Sequence, residues 1–260
     1  MPRVATAFAA AFALFLPIGR PLLVGLTPAI GVGAGLLTTQ AAYAQNASDL
    51  LNLGLEKVES GNLKGAIADW TKAIEMYPRY GIAYYNRGLG KYNLKDYRGA
   101  IADYTKAIEY NPNYAYAYHN RGNVKHDLKD YQGAIADYAK AIEINPQYAL
   151  AYLNRGLAKH DLKDYEAAIA DYTKAIEINP QYAEAYSSRG AVKDVYLKDF
   201  QGAIADYTKA IKLRPEHYAA YTNRGITLEK VGNLKDACRD WKKAVDLGDT
   251  KPIEWVRDQC

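Results

Sequence analysis

Between Tyr97 and Ile108 a recurring stripe is made by Tyr97, Ala100, Ile101, Tyr104, Ala107 and Ile108. Their spacing of three and four residues lines one face of a helix. Asp96 stands just ahead, where its carboxylate can accept from free backbone amides, and Pro112 stands where the helix must stop. The stretch before it, "GIAYYNRGLGKYNL" from Gly81, predicts a second helix joined to the first by "KD". The same pattern returns along the chain. "AIADYTKAIEYNP" from Ala100 is echoed at Ala134 and Ala168, and in weaker copies ending at Pro78 and Pro215. The prolines at 78, 112, 146, 180 and 215 are 34, 34, 34 and 35 residues apart. A fixed period of this size marks stacked helical pairs, none of which can bury enough apolar surface alone. The chain thus divides into six units: 47–80, 81–114, 115–148, 149–182, 183–217 and 218–251.

Some positions recur against their own propensity. Gly54, Gly88, Gly122, Gly156, Gly190 and Gly225 fall within the first helices, where glycine costs about 1 kcal/mol relative to alanine. Six repetitions predict a close approach of two helices at the Tyr104-type aromatic. Arg87, Arg121, Arg155, Arg189 and Arg224 precede these glycines, and Asp69, Asp103, Asp137, Asp171, Asp206 and Asp240 precede the second-helix aromatics. Arg–Asp pairs threading the stack are expected. The fifth unit carries one extra residue near Tyr196, expected to be absorbed in the turn between its helices.

An aromatic four residues before glycine (Tyr84 to Gly88), followed by Tyr97, Ala100, Tyr104, Ala107 and Pro112, resembles the tetratricopeptide repeat. The resemblance runs from Ala47 to about Lys251, and the wording of the repeat is similar to arrays abundant in cyanobacteria. It implies an all-α fold: a right-handed superhelix of antiparallel helix pairs, with first helices lining a concave groove and second helices the convex back. It also implies a protein partner. Family members that take the acidic C-termini of heat-shock chaperones use groove lysines and an arginine. Here the fifth position of each unit is Leu51, Tyr85, His119, Leu153, Ser187 or Thr222, so that specificity is not expected.

Residues 1–44 lie outside the repeats. They lack Asp and Glu, and their only charged side chains are Arg3 and Arg20. The apolar runs and the small-x-small signature Ala42–Tyr43–Ala44 suggest a signal peptide cleaved before Gln45. An uncleaved membrane anchor is the alternative, and membrane association is expected only in that case. The destination is the periplasm or a thylakoid lumen. The precursor's net charge of +4 falls to +2 without those two arginines. The remaining charges alternate along the helices, a solvated surface rather than a nucleic-acid footprint.

No catalytic constellation, cofactor site or metal cluster assembles in the sequence, and no small-molecule substrate is expected. "GVGAG" at 31–35 has no strand before it. His119 and His126 are seven residues apart, about 10.5 Å along a helix, too far to share an ion at a bond length of about 2 Å. The recurring tyrosines among the 24 present are packing residues first.

The candidate binding face is a row of asparagines in the sixth position: Asn52, Asn86, Asn120, Asn154 and Asn223, broken by Ser188. A carboxamide complements a peptide group, so such a row could grip an extended backbone; alternatively it bonds neighbouring helices. Flanking it are Leu51, Leu55, Val58, Ile82, Tyr85, Leu89 and Tyr92 toward the N-terminal end, then Tyr116, His119, Asn123, His126 and Asp127. Leu51 and Tyr85 are expected at the groove surface.

After the sixth unit, Gly248 and Pro252 predict a break and a final helix over 252–260, with Ile253, Trp255 and Val256 capping the stack. A turn near residue 249 places Cys238 and Cys260 eleven positions to either side. In an antiparallel pair those sulfurs come level, and an oxidising compartment would allow a disulfide; two free thiols are the alternative.

Overall fold

The computed structural model describes the backbone of residues 34–260, and side chains from Asn46 onward. The export expectation rests largely on residues 1–33, outside the described residues; Ala42–Tyr43–Ala44 lies within a helix. Compactness divides the chain between Ala42 and Tyr43, and all six repeats belong to the unit Tyr43–Cys260.

Helices α1 (Ala34–Glu59) and α2 (Leu63–Met76) form the first pair. Then come α3 (Gly81–Asn93) with α4 (Tyr97–Tyr110), and α5 (Ala115–Asp127) with α6 (Tyr131–Ile144). Next along the chain are α7 (Ala149–Asp161) with α8 (Tyr165–Ile178), and α9 (Ala183–Val192) with α10 (Phe200–Leu213). The last pair is α11 (Tyr218–Lys230) with α12 (Leu234–Asp246), and α13 (Ile253–Gln259) comes after it. Each helix packs mainly on its neighbours in sequence, the architecture of a solenoid. First helices of successive pairs also touch directly, α3 with α5 and α5 with α7. They therefore lie on the inner side of the curve.

Every second helix is capped by its own sequence. Asn62, Asp96, Asp130, Asp164, Asp199 and Asn233 accept from the backbone amide three residues on, Asp96 from Gly99 at 2.9 Å. This satisfies a donor the helix leaves free. The first helices α3, α5 and α7 have no such cap. Instead the tyrosine ahead of a first helix packs backward: Tyr114 lies 4.8 Å from the Tyr85 ring and Tyr148 lies 5.0 Å from His119, centroid to centroid.

The recurring glycines face the recurring aromatics. A methyl group on Gly88 would lie 2.9 Å from Tyr104, on Gly122 2.8 Å from Tyr138, and on Gly156 2.6 Å from Tyr172. On Gly190 it would lie 3.1 Å from Tyr207. Gly54 and Gly225 meet the indoles of Trp70 and Trp241. All six aromatics are buried, so the glycine is what lets a large ring fill the space between paired helices.

The arginine–aspartate pairs are present and bidentate. In each, the arginine donates through Nε and Nη2: Arg87 to Asp103, Arg121 to Asp137, Arg155 to Asp171, Arg189 to Asp206 and Arg224 to Asp240. These pairs join two helices of one repeat rather than successive repeats. The connection along the stack is made by Nη1, which donates to a threonine in the preceding second helix: Arg87 to Thr71, Arg121 to Thr105, Arg189 to Thr173 and Arg224 to Thr208. At Arg155 that position is Ala139, and no such bond forms. A lysine one turn on adds a second cation, Lys91 to Asp103 at 2.8 Å, and likewise at Asp137, Asp171 and Asp206. Among the described residues Asp69 pairs with Lys57 alone, because Leu53 stands where later repeats have arginine.

Two expectations about local structure are corrected. The extra residue of the fifth repeat is not taken up in the turn. It is wound into the end of the first helix as a π-helical segment, Lys193–Leu197, and leaves Val195, Tyr196 and Leu197 exposed. The turn itself is unaltered: Lys198 has φ 57°, matching Lys95, Lys129 and Lys163 at 63–65°. Ile253 does not cover the stack; it faces solvent. Trp255 and Val256 do the capping, packed against the cluster of Leu228, Ala237 and Trp241. The structure joins Cys238 to Cys260 across the α12–α13 pair, with Cα atoms 5.6 Å apart.

Candidate functional site

The inner face is built from α1, α3, α5, α7, α9 and α11. Its fifth positions, Ser187 apart, are buried. Leu51 is 7 % exposed, Tyr85 5 % and His119 3 %, which corrects the placement of Leu51 and Tyr85 at the groove surface and of His119 projecting into it. Leu51 packs with Ala66, Trp70 and Ala83. Tyr85 is enclosed by the Tyr104 and Tyr114 rings. The physical reason is the tyrosine ahead of the following first helix, which folds over this position and seals it. Leu55, Val58 and Ile82 are partly buried against the first core cluster, Leu89 and Tyr92 against the cluster around Tyr85 and Tyr104. Tyr116 is exposed, its ring 5.3 Å from Tyr148.

In the middle of the stack the asparagine row bonds neighbouring repeats. Asn120 Nδ2 donates to Tyr85 Oη at 2.8 Å. One repeat later Asn154 Nδ2 lies 2.9 Å from His119 Nε2 and 3.0 Å from Asn123 Oδ1. His119 Nδ1 lies 3.1 Å from Asn120 Oδ1, and Tyr138 Oη donates to Asn123 Oδ1 at 2.8 Å. The six side chains close into one network. Its geometry assigns the histidine proton to Nδ1, leaving Nε2 to accept from Asn154. Burial lowers the His119 pKa to about 4, so the ring is neutral at pH 7.

The ends of the row differ. Asn86 is buried and Asn52 exposed, and neither makes a side-chain hydrogen bond within the described residues. Asn86 has Leu51 where Asn120 has Tyr85, and leucine offers nothing to bond. Asn223 is likewise unbonded through its amide, because Ser187 stands in the preceding fifth position and is too short to reach.

A second line joins the ends of the first helices. Tyr92 Oη donates to Asp127 at 2.5 Å, and His126 Nε2 lies 3.0 Å from Asp161 Oδ2 without hydrogen-bond alignment. Lys230 Nζ lies 2.7 Å from Asp194 Oδ2. Between the last two, His160 meets the displaced Tyr196, whose ring stacks on Tyr165 at 3.5 Å. His126 and His160 thus share Asp161, His160 Nδ1 lying 3.5 Å from its Oδ1. Among the described residues no group of three or more His, Cys, Asp or Glu side chains could hold a metal ion. No helix among them is long and apolar enough to cross a membrane.

A stack of six antiparallel helix pairs with a capping helix defines an α-solenoid. The chain belongs to the tetratricopeptide repeat family: sequence profiles described as tetratricopeptide repeat or TPR repeat match residues 51–90, 88–129, 122–163, 149–182, 183–217 and 206–239. The fold is that family's right-handed superhelix. Among solved structures, MamA is 30% identical with a TM-score of 0.57, over 62% of this chain and 93% of that one. YrrB, described as a TPR protein with an unusual peptide-binding site, is 24% identical with a TM-score of 0.58, over 72% and 94%. PilF of Pseudomonas aeruginosa is 18% identical with a TM-score of 0.70, over 86% and 99%. The last two show the fold alone. A comparison with curated protein sequences finds no match.

Proposed function

We propose that the protein is an exported adaptor that holds an extended segment of a partner protein along its inner face and performs no chemistry of its own. The observation that carries this reading is the free carboxamide groups of Asn52, Asn86 and Asn223, set in one register along the first helices. Each can donate to and accept from a peptide backbone. Beside them the half-buried Leu55, Ile82 and Leu89 offer apolar contact for alternate side chains of the segment. Asn120, Asn154 and His119 serve the reading indirectly, by fixing the spacing of the repeats that carry the free amides.

The test compares partner capture by the chain from Gln45 with that by the Asn52→Ala/Asn86→Ala/Asn223→Ala variant. Capture should be lost while helicity and cooperative melting are retained. Retained capture would overturn the inner-face reading in favour of the second one, a structural or assembly role for membrane, photosynthetic or envelope complexes through the convex face or self-association. Sedimentation at several concentrations reads self-association directly; the adaptor should stay monomeric.

Export to the periplasm or a thylakoid lumen belongs to the same proposal, supported by the charge-poor segment ending at Ala42–Tyr43–Ala44; the N-terminus of the native chain should read Gln45. The Cys238–Cys260 bond fits that destination. Closing a 22-residue separation should contribute on the order of 3 kcal/mol. Unreduced native protein should therefore contain no free thiol, and two free thiols would remove both the bond and one support for export.

A further inference from the structure

Three departures from the repeat converge at the junction of the fifth and sixth repeats. The π-helical segment Lys193–Leu197 turns Asp194 inward, to 4 % exposure. Ala191 occupies the position that is Leu89, Asn123 and Leu157 in the three preceding repeats, and so removes bulk. Ser187 leaves the Asn223 amide without the partner that Asn120 and Asn154 find. Together they open a cleft of about 140 Å³ with Asp194 and Asn223 in its lining and Ala191, Val195 and Ile226 as apolar walls. One carboxylate oxygen, Oδ2, pairs with Lys230 at 2.7 Å. The other, Oδ1, is buried with no hydrogen-bond partner among the described residues.

A buried carboxylate oxygen without a donor is a standing cost to the free protein, and any ligand that brings a donor relieves it. The donor's charge is constrained. Lys230 already neutralises Asp194, so an incoming cation would set two positive charges around one carboxylate, and an incoming anion would meet Asp194 directly. A neutral group that both donates and accepts fits: its N–H toward Asp194 Oδ1, its oxygen toward Asn223 Nδ2, its aliphatic stem against the apolar walls.

We propose that this cleft is a side-chain pocket for a primary carboxamide, the Asn or Gln of an extended partner segment. The partner segment rests on the adaptor reading above; the pocket itself does not. π-Helical insertions recur at functional sites for this reason, since one extra residue re-aims a side chain without disturbing the rest of the fold.

The test titrates the isotopically labelled full chain with propionamide, methylguanidinium and propionate, following the resonances of Ala191, Asn223 and Ile226. Propionamide should give saturable shifts, at least tenfold tighter than the two charged probes. Two variants should abolish them. Ala191→Leu fills the cleft with the residue used by the second and fourth repeats, so the fold tolerates it. Asp194→Asn keeps the shape but turns an amide donor toward the ligand once its oxygen faces Lys230. Tighter binding of methylguanidinium, no saturable propionamide shift, or unchanged propionamide binding by Ala191→Leu would each overturn the pocket. Propionamide binding with no capture lost in the asparagine variant would leave the pocket standing and remove the adaptor reading. Capture that depends on the asparagines, with no propionamide binding, would do the reverse.

Discussion

The second to fourth repeats and the fifth and sixth use one sequence pattern to opposite ends. In the middle of the stack the polar side chains of the inner face find protein partners in one another, through Tyr85, Asn120, His119, Asn154, Asn123 and Tyr138. At the fifth–sixth junction the corresponding groups are Ser187, Asn223, Asp194 and Ala191, and the Asn223 amide and Asp194 Oδ1 are left open. The difference arises in a few side chains and one π-helical residue on an otherwise shared scaffold. A repeat protein can therefore keep one region rigid and self-satisfied while the next is prepared for a ligand, because each junction is nearly independent of the others.

The largest expected effect belongs to the closed region. His119 is neutral in the fold, its pKa lowered by burial to about 4, against about 6.5 in the unfolded chain. Between those values the unfolded state binds the proton and the folded state does not, so stability falls as pH drops through that window. The loss should reach about 3 kcal/mol by pH 4. His217, lowered by burial and by Arg214, adds a loss of the same sign. Urea melts at pH 7 and pH 4 should therefore show a smaller difference for His119→Leu than for the parent chain. An equal difference would place the acid sensitivity elsewhere.

Next come the glycines that seat the aromatics. A methyl on Gly156 would fall 2.6 Å from Tyr172, and on Gly190 3.1 Å from Tyr207. Alanine gains about 1 kcal/mol of helix propensity at either site, but overpacking costs about 1–3 kcal/mol where the ring has no room to move. Gly156→Ala should be destabilising by about 2 kcal/mol and Gly190→Ala close to neutral. Equal costs in thermal melts would show that the fifth repeat is as tightly packed as the fourth.

The asparagine row separates the two regions most directly. Asn154→Ala leaves His119 Nε2 without its donor and Asn123 Oδ1 with Tyr138 alone, which should cost about 1–3 kcal/mol. Asn223→Ala removes no side-chain bond and should change stability by less than about 0.5 kcal/mol. A large loss at Asn223 would mean that the open junction is not open.

These contrasts also mark where the sequence stops being legible. The helices, their caps, the glycine–aromatic contacts and the Arg–Asp pairs are each repeated, and repetition separates a required residue from an accidental one. The burial of the fifth position is hidden, because the pattern shows which helical face a residue shares but not what folds over it. The tyrosine ahead of the next first helix lies nearly thirty residues away. A signal is present: Tyr80, Tyr114, Tyr148 and Tyr182 close the first four repeats, and large apolar side chains recurring outside the helical stripes need something to cover. The two uses of the asparagines depend on the fifth residue of the preceding repeat. That pairing, 35 residues apart in the middle repeats and 36 across the fifth, becomes visible only once the stack has a geometry. The extra residue near Tyr196 can be located from the spacing, but no local propensity says whether a helix or a turn will absorb it.

The smallest effect lies in the thread that runs outside this network. Four arginines reach back to a threonine of the preceding repeat, and Arg155 does not, because Ala139 stands there. Ala139→Thr supplies the hydroxyl at a partly buried site, where a bond to a charged donor contributes about 1 kcal/mol or slightly more. Threonine's lower helix propensity returns about half of that. The net gain should be about 0.5 kcal/mol, near the limit of a chemical melt, so the informative measurement is a double-mutant cycle with Arg155→Lys. Lysine cannot hold the aspartate through two nitrogens and still offer a third to the threonine. The gain should vanish in that background. If Ala139→Thr stabilises both backgrounds equally, the threonines act through their own helices, as Thr71 does in donating to Ile67, and the repeats are joined by packing alone.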